Sequence, residues 1–264
     1  MLNLAVNLSL IFHEVPLIER FALAKAQGFR AVEIQFPYEL SITQIQDELD
    51  RHELDLVLIN VPAGDLMQGG DGLACVPGCE YEFEKAVQLA IEYAAALHVP
   101  TVNILAGKQP IDADLLPCLQ TFANNLKFAC DLFQSADISP VIEMINGTDM
   151  PRFLIQNIAQ AQEMLEAVQH PALRLQYDCY HMAMMGEDVL TGLQENLHQI
   201  GHIQFADCPS RHEPDTGNIA YKVIFDWLLQ SGYQGFIGAE YKPKTNSDQS
   251  FAWKQKYFAN DVNT

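Results

Sequence analysis

The chain has 264 residues, 49% of them hydrophobic, which is enough apolar material for one large α/β core, and no change of composition marks a linker. Its 15 basic and 34 acidic residues give a net charge of −19, which disfavours nucleic acid as a partner. Its apolar runs fall short of the roughly 18 residues that a membrane span requires. The six cysteines form no C-x-x-C pair and indicate reduced thiols, so we expect a cytoplasmic protein.

Along the chain, segments of alternating apolar and polar residues are followed by segments with helical periodicity. Several of the helical segments begin near Pro, Ser or Thr, and the first stops at Gly, which is typical of helix ends. The predicted strands are 3–9, 31–36, 56–61, 102–106, 140–145, 173–178, 202–206 and 236–241, and the predicted helices are 16–27, 41–51, 80–97, 114–133, 154–168, 189–200, 221–230 and 247–258.

Eight strand-then-helix units in this length favour a (β/α)8 TIM barrel of the α/β class, with residues 1–264 forming a single domain. An open doubly wound sheet is the alternative. The glycine-rich segment 62–78 contains no P-loop and no dinucleotide-binding pattern, and we predict that it forms a mobile loop over the barrel mouth.

Polar residues occupy one face of the predicted strands, although barrel interiors are ordinarily filled by branched apolar side chains. Buried polar groups must be paired, hydrated or bound to a ligand, so this face indicates either a binding site or a satisfied hydrogen-bond network. The residues are Asn3, Asn7, Ser9, Glu33, Gln35, Asn60, Asn103, Glu143, Arg174, Gln176, Asp178, His202, Gln204 and Glu240.

Four side chains with oxygen donors lie near the C-terminal ends of the last four predicted strands: Glu143, Asp178, Gln204 and Glu240. In a TIM barrel these strand ends form the active-site rim, so the four side chains should converge. Three crowded carboxylates require either raised pKa values or a bound cation. A donor set made only of oxygens favours Mg²⁺ or Mn²⁺ over zinc.

Candidate substrate-binding residues follow the same strands. His181 lies where strand 173–178 should turn into its loop and could donate to a substrate oxygen, or it could be a capping or surface histidine. Arg211 could bind an anionic group through two parallel hydrogen bonds or simply neutralise nearby acids. Lys108 and Lys242 are weaker candidates of the same kind. No nucleophile elbow and no zinc-like histidine cluster occurs in the sequence.

Short motifs dispersed over nearly the whole chain resemble those of hydroxypyruvate isomerases, within the xylose isomerase-like TIM-barrel superfamily that also contains ketose 3-epimerases and 2-oxo-tetronate isomerases. In chain order, the motifs are NLSLIF, NVPAGD, GLACVPG, LAGK, IEMINGTDMP, QYDCYHM, HIQFAD, RHEPDTGNI and IGAEYKP. The motifs RHEP and YQGFIGAEYKP are equally similar to the 2-oxo-tetronate isomerases.

The resemblance implies that a divalent metal is bound by Glu143, Asp178, Gln204 and Glu240, and that the two glutamates are the acid/base pair. It also implies that His181 and Arg211 contact the substrate. The sequence departs from its relatives in two places: related epimerases have a histidine at the position of Gln204, and close relatives read EPINHFD where this chain reads EMINGTD.

The activity implied is the interconversion of hydroxypyruvate and 2-hydroxy-3-oxopropanoate through an enediolate. The partner would be a small anionic keto acid or sugar acid, and the sequence is compatible with a homo-oligomer. The alternatives are isomerisation of a 2-oxo-tetronate, epimerisation of a ketose, and a non-catalytic barrel that binds a small acid. Zinc-dependent cleavage of DNA, known in the same superfamily, is opposed by the acidic charge and the missing histidine ligands.

Overall fold

The computed structural model describes residues 2–258, in which strands and helices alternate around a closed barrel. The strands are β1 (Asn3–Asn7), β2 (Ala31–Ile34), β3 (Asp55–Asn60), β4 (Thr101–Ile104), β5 (Ser139–Glu143), β6 (Arg174–Asp178), β7 (Ile200–Phe205) and β8 (Phe236–Ala239). The helices are α1 (Leu17–Ala26), α2 (Ile42–His52), α3 (Glu80–Ala96), α4 (Leu115–Ser135), α5 (Ile158–Val168), α6 (Cys179–Met184), α7 (Val189–Asn196), α8 (Tyr221–Ser231) and α9 (Ala252–Phe258).

Each strand pairs in parallel with its neighbour in sequence, and β1 closes the barrel by pairing with β8. The prediction of a (β/α)8 barrel is therefore confirmed, and the open-sheet alternative is wrong. No helix within residues 2–258 combines the length and apolarity that crossing a bilayer requires.

Helix ends follow the sequence signals where capping residues were recognised. Ser41 caps α2, because its hydroxyl accepts a hydrogen bond from the N–H of Gln44 while the Gln44 side chain accepts one from the N–H of Ser41. Helix α1 starts directly after Pro16 and ends before Gly28, whose φ of +76° suits glycine. Helix α5 starts at Ile158 and not at 154, because Asn157 caps it.

Five strands end two residues earlier than the alternation predicted: β1, β2, β4, β5 and β8. Buried side chains follow some of these ends, among them Leu105, Met144 and Tyr241. Alternation reports which residues are buried, whereas strand assignment depends on ladder hydrogen bonds. The alternating pattern therefore runs into loops that are packed against the barrel rim.

The apolar core lies between the outer faces of the strands and the surrounding helices, where most buried hydrophobic side chains form one cluster. A second, small cluster contains Ala5, Ala31 and Val57. Ala5 and Ala31 lie on the same strand faces as the polar interior residues of β1 and β2. Gly238 leaves room for a larger polar group, since a Cβ atom there would stand 1.9 Å from the Glu33 carboxylate. Small residues on the inner face thus make space for buried polar side chains.

Candidate active site

The C-terminal ends of β5 to β8 bring the four predicted oxygen donors to the same edge of the barrel. Glu143 and Asp178 are the last residues of β5 and β6, Gln204 is the penultimate residue of β7, and Glu240 directly follows β8. All four side chains are buried. Parallel strands that close into a barrel place these ends around one volume, as the strand positions predicted.

Among residues 2–258, one group of three potential metal ligands has its ligand atoms within 4.8 Å of one another: Glu143, Asp178 and His181. The predicted position of His181 in a loop is wrong, because it lies in helix α6, which begins directly after β6. Asp178 starts that helix, since its Oδ1 accepts a hydrogen bond from the N–H of Tyr180 at 2.8 Å. The short helix turns the imidazole back over the strand ends.

Three buried carboxylates give the site excess negative charge. Burial, and then repulsion from Glu240 and Asp178, raises the pKa of Glu143 well above its usual range. Burial also raises the pKa of Asp178, and it raises the pKa of Glu240 to about 7, in both cases against the opposing effect of Arg211. Such raised values are typical of carboxyl groups that exchange protons with a substrate or hold a cation.

Arg211 supplies the positive charge at this edge of the barrel. Its Nη2 atom lies 2.5 Å from Oε2 of Glu240 and 3.5 Å from Oδ2 of Asp178, and its guanidinium lies over the ring of Tyr180. Its Nε atom is buried and has no hydrogen-bond partner within the described residues. An unpaired buried donor beside two carboxylates is suited to an anionic or carbonyl oxygen of a ligand.

The loop that carries Arg211 is organised by Asp207, which follows β7. The Asp207 carboxylate accepts hydrogen bonds from the backbone N–H groups of Cys208, Thr216, Gly217 and Ile219 at 2.9–3.1 Å. Arg211 itself has a φ of +55°, and its carbonyl accepts from the N–H of Lys242, in the segment that follows β8. Four donors on one buried carboxylate therefore hold the loop in the conformation that presents the guanidinium.

Replacing Asp207 with Asn should loosen this loop, because the amide nitrogen would meet N–H groups that now donate to an oxygen. Buried donors left without acceptors cost about 1–3 kcal/mol each. We expect faster amide hydrogen exchange in residues 208–219 and a higher KM for substrate, both measured against wild type. Asp188→Asn, at the N-terminus of α7, is the matched control. Unchanged exchange in 208–219 would contradict the role assigned to Asp207.

Both polar atoms of the Gln204 side chain form hydrogen bonds inside the barrel. Its Nε2 donates to Glu33 at 2.8 Å, and its Oε1 accepts from Gln176 at 2.6 Å. Glu33 also lies 2.5 Å from Nε2 of His202 and accepts from Asn7 at 3.2 Å. We define these five residues as the floor network.

The floor network connects through Asn7 to the barrel edge formed by the C-terminal ends of β5 to β8, which we call the candidate catalytic edge, or catalytic edge for short. The Asn7 amide donates to Glu33 and also to Oε1 of Glu240, at 3.1 Å, and Gln35 donates to the same oxygen at 2.8 Å. Across the barrel, Asn103 donates to Glu143 at 2.8 Å. Each glutamate of the predicted acid/base pair therefore has its carboxylate oriented by amide donors from the barrel interior.

The two candidate lysines lie apart from these contacts. Lys108 points to the 62–78 loop, where its Nζ is 3.5 Å from the carbonyl oxygen of Gly69. Lys242 is exposed, and its backbone, not its ammonium group, supports Arg211. Asn3 and Arg174, two of the predicted interior residues, are exposed at the opposite, N-terminal end of the strands.

Asn146, Tyr180 and Asp207 were not recognised in the sequence. Asn146 is fully buried and contacts His181, Tyr180 donates to Asp149, and Asp207 organises the Arg211 loop. A sequence signal exists for Asp207, which follows strand β7, and for Asn146, which precedes glycine just beyond β5. Residues at these positions of a barrel are those expected at an active-site rim.

The carboxylates fit a divalent cation, because buried, mutually repelling oxygens are relieved by positive charge. Glu143 and Asp178 have carboxylate oxygens close enough to share one ion. The imidazole of His181 is neutral, since burial and Arg211 lower its pKa well below the usual range. A neutral histidine binds a metal only through a ring nitrogen that carries no proton.

Comparisons with known proteins show the family to which the chain belongs. The profile of a family described as xylose isomerase-like TIM barrel matches residues 21–257. The chain is 38% identical over 257 residues to the hydroxypyruvate isomerase of Escherichia coli (strain K12), covering 97% of this chain and 100% of that protein. It is 37% identical over 253 residues to the 2-oxo-tetronate isomerase of Cupriavidus necator, covering 96% and 97%.

Among solved structures, the crystal structure of a protein described as AP endonuclease, family 2, from Brucella melitensis superposes with a TM-score of 0.93. It is 36% identical to this chain and covers 97% of it and 99% of the other chain. The match therefore extends over nearly the whole barrel.

Proposed function

The chain belongs to the xylose isomerase-like TIM-barrel family and is an isomerase, and from this premise we propose that it interconverts hydroxypyruvate and 2-hydroxy-3-oxopropanoate. The observation that carries the proposal is the pair of buried glutamates with raised pKa values at the ends of β5 and β8, with Arg211 between Glu240 and Asp178. A keto acid needs both features: proton-transferring groups and a cation for its charge.

Glu143 and Glu240 would transfer the protons. One carboxylate removes a proton from the hydroxymethyl carbon, and the other returns a proton to the former carbonyl carbon. The hydroxyl proton moves to the former carbonyl oxygen, so that the reaction is balanced without a redox partner. Because the pKa of Glu240 is raised to about 7, its proton is gained and lost with little cost near neutral pH.

The other residues would bind and orient the substrate. Arg211 offers its buried Nε donor to the substrate carboxylate, and His181 faces the same volume. Glu143 and Asp178 would hold Mg²⁺ or Mn²⁺, with Gln204 and Glu240 completing the predicted ligand set. When bound, such an ion supplies positive charge that stabilises the enediolate oxygens.

Isomerisation of a 2-oxo-tetronate is the second candidate, and the 37% identity to the Cupriavidus necator enzyme favours it. The two substrates differ by one hydroxylated carbon, so the space beyond the reacting atoms decides between them. Lys108 and the 62–78 loop, which it contacts, border the barrel mouth where the longer substrate would extend. Epimerisation of a ketose would use the same acid/base pair.

The Brucella melitensis structure raises a third candidate, cleavage of DNA. Two observations on this chain count against it. The net charge of −19 repels a phosphate backbone, and the one group of metal-ligating residues found within residues 2–258 contains a single histidine. Absence of nicking on a duplex with an abasic site would exclude it.

Deuterium exchange tests the proposal. Hydroxypyruvate is incubated with the protein in D2O, in EDTA and with added Mg²⁺ or Mn²⁺, and NMR follows both products and deuterium. We expect deuterium at the hydroxymethyl carbon and the appearance of 2-hydroxy-3-oxopropanoate, because both glutamates exchange with solvent. No exchange with hydroxypyruvate but exchange with a 2-oxo-tetronate would replace the first substrate by the second. No exchange with either would favour a binding protein.

We also propose a cytoplasmic location and a small anionic substrate. The six cysteines are free thiols, which supports a cytoplasmic location, where thiols stay reduced. A small anionic substrate is supported by the buried guanidinium at the catalytic edge.

A further inference from the structure

The orientation of the Asn146 side chain is determined by its own backbone surroundings. Its Oδ1 atom accepts hydrogen bonds from the N–H groups of Thr148 at 3.0 Å and Asp149 at 2.8 Å. The reversed amide would place its NH2 group against these two N–H donors, and both would lose their acceptor. The amide nitrogen of Asn146 must therefore face the other way.

In that direction lie the carboxylate of Asp149 and the ring nitrogen Nδ1 of His181. Nδ2 of Asn146 is 3.1 Å from Oδ2 of Asp149 and 2.7 Å from Nδ1 of His181. The backbone N–H of Asn146 also points at Nδ1 of His181, at 3.4 Å. Because Nδ1 faces two N–H donors, it has no room for a proton of its own. The single proton of the imidazole must be on Nε2.

The Nε2 atom of His181 faces the catalytic edge. It lies 3.6 Å from Oδ2 of Asp178 and 3.9 Å from Oε1 of Glu143, and the side chain is 2% exposed. These distances are too long for strong hydrogen bonds, so the Nε2–H group can donate to an oxygen atom placed between the carboxylates.

We infer that Asn146 is a positioning residue that holds His181 in the tautomer protonated at Nε2, so that His181 donates a hydrogen bond to the reacting oxygen of the substrate. The identity of that oxygen rests on the proposed function. A preorganised neutral donor stabilises a developing enediolate without giving up its proton. In this tautomer Nε2 has no lone pair, so His181 is excluded from the metal ligands although it stands beside two of them.

An exchange of side chains between positions 146 and 149 tests the inference. In the double variant Asn146→Asp, Asp149→Asn, total charge is unchanged. The new amide at position 149 can donate to the new carboxylate at position 146, while the Tyr180 hydroxyl turns to accept. Nδ1 of His181 would then face a carboxylate and must carry the proton. The single variant Asp149→Asn is the matched control, because Asn146 still donates to Nδ1.

The tautomer is read directly by long-range proton–nitrogen NMR on the metal-free protein labelled with 15N-histidine. His181 is assigned by comparison with His181→Gln. We expect Nε2–H in wild type and in Asp149→Asn, and Nδ1–H in the exchanged variant. We also expect kcat to fall roughly 10²- to 10³-fold in the exchanged variant, the usual cost of losing one preorganised donor. Asn157→Asp, at the N-terminus of α5, should leave kcat unchanged.

A wild-type His181 protonated at Nδ1, or at both nitrogens between pH 6 and 9, would overturn the inference whether or not the exchanged variant folds. So would a change of tautomer that leaves kcat unaltered. The NMR result does not depend on the substrate, so inactivity towards hydroxypyruvate would count against the proposed function and not against the tautomer.

Discussion

Glu143→Gln and Glu240→Gln are each expected to lower kcat about 10²- to 10⁴-fold, because each removes a group that must accept or return a proton. Glutamine keeps the size of the side chain and its acceptor oxygen, so the hydrogen bond from Asn103 to residue 143 and those from Asn7 and Gln35 to residue 240 can persist. The measurement is steady-state turnover of hydroxypyruvate, with Glu53→Gln, on the surface, as the control. Near-normal turnover in either variant would refute the assigned role.

The stability of Glu143→Gln separates lost chemistry from lost fold. The Glu143 carboxyl has a pKa raised above its ordinary value of 4.5, so between that pH and the higher folded value the folded state holds more protons than the unfolded state. The free energy of unfolding of wild type therefore falls as pH rises through this window. The free energy of unfolding of Glu143→Gln does not fall for this reason, because glutamine has no carboxyl group to titrate.

In metal-free protein, Glu143→Gln should thus gain stability relative to wild type between pH 5 and pH 9, while being nearly inactive. Urea unfolding at pH 5 and pH 9 in EDTA measures the difference. A variant that is less stable than wild type at both values would show that the carboxylate supports the fold, and the activity loss would then need another explanation.

Glu33→Ala is expected to destabilise the barrel by about 3–5 kcal/mol, because it removes a buried acceptor and each buried donor left unpaired costs about 1–3 kcal/mol. Glu33 is fully buried and accepts from Gln204 and Asn7 while standing 2.5 Å from Nε2 of His202. Its removal would leave Gln204 Nε2 without an acceptor, take one of the two acceptors from Asn7 and leave a cavity beside Gly238. Urea unfolding at 25 °C measures the change.

Asp226→Ala is the matched control, because Asp226 pairs with Lys222 on the exposed face of α8 and such pairs contribute little. A loss of less than about 1 kcal/mol for Glu33→Ala would mean that water or a rearranged floor network replaces the carboxylate. Asn7 donates to both Glu33 and Glu240, so the loss of Glu33 should also disturb the orientation of the Glu240 carboxylate. We therefore expect the folded Glu33→Ala protein to have a reduced kcat.

The architecture could be predicted because it depends on a repeated local pattern. Eight alternating strand and helix segments specify parallel strands with helical crossovers, and a count of eight indicates a closed barrel. Strand ends were predicted less well, since Leu105, Met144 and Tyr241 continue the apolar alternation after the ladder has ended. Helix α6 was missed because its six residues are too few to show a helical period.

For the candidate site, the sequence predicted which side chains lie at the same edge of the barrel. The positions of Glu143, Asp178, Gln204 and Glu240 relative to their strands place them at the barrel rim, and the metal set that they were predicted to form stays a prediction. Their individual partners were not predictable.

By itself, then, the sequence determined the barrel and the edge at which polar side chains gather, because periodicity and strand position are local properties of the chain. The family followed from the resemblance of its dispersed motifs. The tertiary structure alone decided that Arg211 lies between Asp178 and Glu240, that Gln204 turns to Glu33, and that Asn146 faces Nδ1 of His181. The physical reason is that a hydrogen bond depends on distances of a few tenths of an ångström between atoms from different strands and loops. Those distances exist only once the barrel has closed.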